Sequence, residues 1–142
     1  MLKNFFKKKK EINKDSTILI PALLIHAAKI DENYTAAEKT IITKAIMDLN
    51  KFDLSKAEQV MKDAEKKEEE SNQIIEFTQE IKKYPIEFRL KIIEIIWKIV
   101  YSDGENDSYE STLIRRICGL LYVSDKDNGV IKEKILNQIK GV

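Results

Sequence analysis

A chain of 142 residues with 43% apolar and 35% charged residues can bury one sizeable core. Four glycines and two prolines leave too few breakers for many short strands, so an all-α fold with short connections is expected. The net charge of +1 conceals an asymmetry: Lys3, Lys7, Lys8, Lys9, Lys10 and Lys14 against Glu11 give residues 1–14 a net +5, leaving −4 for the remainder. A body that is mildly acidic argues against a nucleic-acid partner. The single cysteine, Cys118, excludes an intrachain disulfide and a thiolate metal cluster.

In chain order, residues 1–15 read as a basic tail and 16–142 as one helical domain. Leu2, Phe5 and Phe6 among the tail lysines give two readings, contact with an anionic membrane surface or a frayed solubilising end. The start imitates a signal peptide, but His26 occupies the −3 position of a break after Ala28, where a small residue is wanted. A cytoplasmic location is therefore expected. The apolar run 17–30 is too short to span a bilayer and forms the first helix, with Pro21 in its first turn or kinking it.

A second helix is expected over 36–50. A third starts at Ser55, with Ser55-x-x-Glu58 as a capping box, and buries Ala57, Val60, Met61 and Ala64. The charged run Lys66–Glu70 ends it. A fourth covers roughly 72–83. Pro85 suits the first position of a fifth helix, whose apolar residues from Phe88 to Val100 leave only Glu87, Lys91, Glu94 and Lys98 as a polar stripe. Glu87–Lys91 and Glu94–Lys98 are i, i+4 ion pairs in this register. A sixth helix covers about 108–121, and a seventh runs from Ser124 towards Lys140. Helices one and five are expected to form a central pair.

An internal duplication organises these seven helices. A shift of 72 residues places Ala22–Leu49 on Glu94–Leu121 without a gap. Asp31 then falls on Asp103, Thr35 on Asp107 and Glu38 on Glu110. Ile41, Ile42, Ala45, Ile46 and Leu49 fall on Leu113, Ile114, Ile117, Cys118 and Leu121. The expected architecture is a bundle of about seven helices with a pseudo-twofold relation.

The two acidic turns are the candidate chemistry. Asp31 and Glu38 in the first, and Asp103, Glu105, Asp107 and Glu110 in the second, offer the oxygen ligands that calcium and magnesium prefer. Turn chemistry competes with this reading. Thr35-x-x-Glu38 and Asp107-x-x-Glu110 are both capping boxes, which account for the two glutamates but not for Asp31 and Asp103 at helix C-termini. His26 pairs with Lys98 in the register and reads as a surface or boundary residue. Cys118 and Trp97 read as core. Arg115 and Arg116 suit an acidic partner or a solvated face. No serine or cysteine has a base at a recognisable spacing and no glycine-rich phosphate loop is present, so an enzyme is not expected.

The segments Ile95–Gly104 and Tyr109–Arg116, with Leu23–Asp31 up to Glu38 in the first copy, resemble the bacterial tellurite-resistance TerB family. That wider group includes the N-terminal domain of a membrane-associated DnaJ-like co-chaperone. The resemblance covers roughly residues 20–138. It implies an all-α fold of about seven helices and a metal ion held by Asp31, Glu38, Asp103 and Glu110. Glu32 stands where a glycine is common. The function implied is a non-enzymatic domain binding a divalent cation, in stress or tellurite response. The alternative is a protein-interaction or homodimerisation module that binds no metal.

Overall fold

Thr35 fixes the start of a helix by reciprocal hydrogen bonds. Its hydroxyl accepts from Glu38 N–H at 3.1 Å, and its own N–H donates to Glu38 Oε1 at 2.8 Å. This capping box opens α2 (Ala36–Asn50), which follows α1 (17–28). The computed structural model describes residues 17–29, 34–71, 74–103 and 108–139, without the side chains of 103 and 108–111. The expected basic tail, 1–15, lies outside them.

The remaining helices are α3 (Leu54–Glu70), α4 (Ile74–Ile81), α5 (Ile86–Val100), α6 (Ser108–Leu120) and α7 (Asp125–Ile139), with a 3-10 turn at Tyr101–Asp103. No strand occurs among the described residues, as the expected all-α class requires. Pro21 lies inside α1, which continues through it.

Four expectations of local structure need correction. The N-cap of α3 is Asp53, not Ser55, because the Asp53 carboxylate accepts the Lys56 N–H at 2.8 Å and starts the helix earlier. α4 is shorter than expected: Lys82 and Lys83 form a turn in which the N–H groups of Lys83 and Tyr84 bond to carbonyls three residues back. On α5, Glu94 lies 3.8 Å from Lys98 and is shared with Lys134 of α7 at 3.2 Å, whereas Lys91 makes no ion pair among the described residues. Pro85 caps α5 rather than opening it, a displacement of one residue.

α5 packs against α2, α6 and α7. Ile92, Ile93, Ile95, Ile96, Trp97, Ile99 and Val100 are all buried, which fits a helix surrounded on several sides. α1 joins the same core through Ala22, Leu23, Leu24 and Ile25, none of which reaches solvent. Trp97 donates its indole N–H to Asn128 Oδ1 at 2.9 Å, tying α5 to α7. Cys118 is buried on α6, where a small apolar side chain is wanted.

The helix ends are stopped similarly. Lys51 and Tyr122 both adopt the left-handed conformation at φ 56°. The N–H that follows each bonds back to the preceding helix, Phe52 to the Met47 carbonyl and Val123 to the Cys118 carbonyl. Arg89 on α5 adds a third device. Its Nε donates to the Tyr84 carbonyl at 2.9 Å and its Nη1 to the Leu121 carbonyl at 2.7 Å, at the far end of α6.

Candidate functional site

The described residues place one charged cluster beside the first acidic turn. α3 presents Ala57, Val60, Met61 and Ala64 inward, and the same face continues to Glu68. Glu68 is therefore a carboxylate at a core position, 4% exposed. Lys29, just after α1, donates to Glu68 Oε2 at 2.8 Å. His26 Nδ1 lies 3.4 Å from Glu68 Oε1, and its ring meets Phe77 edge-on at 6.2 Å. A buried carboxylate needs such partners, because an uncompensated charge there is costly.

Tyr34 lies within electrostatic reach of Glu68. Its hydroxyl oxygen is buried and finds no hydrogen-bond partner among the described residues. Burial, and then the charges of Glu65, Glu38 and Glu68, push the phenol well above its usual range. The charges of three carboxylates from two helices thus act on one phenol. Glu65 Oε1 lies 2.9 Å from Lys39 Nζ, an ion pair that lacks hydrogen-bond angles. Lys29 and Lys39 together offset two of the three negative charges.

Of the acidic residues expected to hold a cation, Glu38 is fully placed. It is 6% exposed, and Oε1 is committed to the Thr35 cap. Asp31, Glu105 and Asp107 lie outside the described residues, as do the side chains of Asp103 and Glu110. Among the described residues, no group of three or more His, Cys, Asp or Glu side chains is arranged to hold a metal ion.

Sequence reasoning missed Tyr34, Glu65 and Glu68. A signal for Glu68 was present: it lies four residues after Ala64, on the inward stripe. Reading Lys66–Glu70 only as the charged run that ends the helix concealed it. His26 occupies a boundary position as expected, with its side chain 21% exposed, but it faces Glu68 rather than open solvent alone.

No helix among the described residues is long and apolar enough to cross a membrane. The family model described as "Tellurite resistance protein TerB" matches residues 17–133. No curated protein and no solved structure matches the chain. A match over that share of the sequence, on a seven-helix fold, means that the chain belongs to the TerB family.

Proposed function

We propose that this chain is a non-enzymatic cytoplasmic domain that binds a divalent cation, calcium or magnesium, at its acidic turns, in stress or tellurite response. What supports this reading is the family match over residues 17–133 together with the carboxylates that the sequence gathers in its two acidic turns, of which Glu38 is the one whose side chain is described, nearly buried at the start of α2. Carboxylate oxygens suit a hard cation, which would supply charge neutralisation rather than catalysis. Asp31 and Glu38 would serve the first turn, and Asp103, Glu105, Asp107 and Glu110 the second. His26 holds a buried carboxylate beside Phe77 and takes a structural part in this scheme.

Calorimetric titration of the full chain with calcium chloride and with magnesium chloride tests the reading. Binding heat that Asp31→Asn abolishes, with a rise in Tm, is the expected result. The absence of heat and of stabilisation at millimolar ion would overturn it.

A second reading is a metal-free protein-interaction or homodimerisation module. It is favoured by Glu38, whose Oε1 is already engaged in capping. The duplication of 72 residues belongs to both proposals, as the relation that would pair the two turns. Contact of the lysine-rich tail with an anionic membrane is a further part of the proposal, checked by vesicle co-sedimentation of the full chain.

A further inference from the structure

α2 carries two apolar stripes. One, Ile42 and Ile46, is fully buried. The other, Ala37, Ile41, Ala45 and Leu49, repeats every fourth residue and lines an open groove of ≈ 870 Å³ between α2, α5 and α7. Ile95, Tyr101 and Ile135 form its floor and Ile139, 52% exposed, its edge.

The 72-residue register makes this openness informative. The counterparts of Ile41, Ala45 and Leu49 on α6 are Leu113, Ile117 and Leu121, and all three are buried. α4 packs on α6, while no fourth-helix counterpart covers α2 among the described residues. The helix that covers α6 is itself apolar and acidic. It buries Ile74, Phe77, Thr78 and Ile81, and its charged residues are Glu76 and Glu80.

Charge at the groove points the same way. Lys44, Lys91 and Lys98 are exposed along its rim, against a single carboxylate among the described residues, Asp48. Lys44 and Lys91 make no ion pair among the described residues. A basic rim disfavours the lysine-rich N-terminal segment of this chain and a second basic rim. A concave, elongated floor fits a rod better than a membrane plane. From Ala37 to Leu49 the stripe runs about 18 Å, the length of a helix of about 12 residues.

We propose that the α2–α5–α7 groove docks an acidic amphipathic helix of a partner protein, in the place that α4 occupies on α6. This rests on the interaction reading and is independent of the cation. Docking would bury the Ile41–Leu49 stripe and bring glutamates or aspartates to Lys44 and Lys91.

Methyl NMR of the full chain tests it, with a designed 16-residue helical peptide (length from about four helical turns) that carries isoleucine and leucine at i, i+3, i+4 and i+7 between glutamates. Expected are shifts at Ile41, Leu49, Ile135 and Ile139, with affinity falling roughly ten-fold in Lys44→Glu/Lys91→Glu and falling again at high salt. Ile139→Glu, at an exposed position, should weaken binding without unfolding the chain. The inference is overturned if those methyls do not move, if the same peptide with lysines replacing glutamates binds equally well, or if vesicles of phosphatidylglycerol and phosphatidylcholine reproduce the shifts. Self-association through the same methyls, seen as a concentration-dependent mass, would overturn the acidic helix but leave the interaction reading standing. Neither peptide shifts nor self-association would end both.

Discussion

Lys29 and Glu68, which are 39 positions apart in sequence, meet at 2.8 Å and join the end of α1 to the last turns of α3. Glu68 is nearly sealed, whereas Lys29 keeps a third of its side chain in solvent. Removing the lysine strands a buried charge. Removing both lets an apolar pair fill the space. Lys29→Met should cost about 2 kcal/mol, below the full value of a buried pair because Lys29 is partly hydrated. Lys29→Met/Glu68→Leu should cost less than half as much. Urea unfolding of the two variants and the parent chain checks the order, and a double variant weaker than the single one would contradict it.

Tyr34 supplies the opposite case. Its hydroxyl is buried without a partner among the described residues. Tyr34→Phe removes an unsatisfied group at almost no cost in packing, and should stabilise by about 1 kcal/mol, or raise Tm by about 3 °C. Thermal unfolding without added metal reads this directly.

Burial, with a smaller contribution from the Asp125 charge, pushes the Cys118 thiol up to about 12. The unfolded thiol ionises first, near its ordinary value, and the folded thiol only at the raised one. Between these two values the unfolded chain binds fewer protons, so stability falls as pH rises. Below the ordinary thiol range the contribution is fully present. Cys118→Val should flatten this alkaline loss in urea unfolding measured from pH 8 upward (values bracketing the ordinary thiol range). The native thiol should also react with disulfide reagents only as fast as the chain opens.

Trp97, the single tryptophan, reports on the α5–α7 seam. Asn128→Ala leaves its indole N–H without the 2.9 Å acceptor, at a cost of about 2 kcal/mol. Asn128→Asp keeps an acceptor and should lose less. Tryptophan fluorescence during urea unfolding distinguishes the two.

Much of the architecture was legible because local signals agreed. α2 was expected over 36–50 and is found there, since Thr35, Glu38 and a 3.6-residue apolar period all specify the same segment. The start of α3 was less clear because Asp53 and Ser55 are both able caps, and only the folded geometry chose between them. Around the first acidic turn, Glu38 could be read from its cap spacing. Glu65 and Glu68 could not be paired with Tyr34 by spacing, because their proximity arises from how α2 and α3 pack. Long-range electrostatics of this kind leave little trace in a periodicity.

Arg89 has a consequence for how the molecule opens. One guanidinium holds the turn before α5 and the carbonyl at the end of α6, 32 positions away. Fraying of either end removes a partner from the other. Amide protons around Tyr84–Arg89 and Leu121–Val123 should therefore exchange as one cooperative unit, although neither segment lies in the centre of the core.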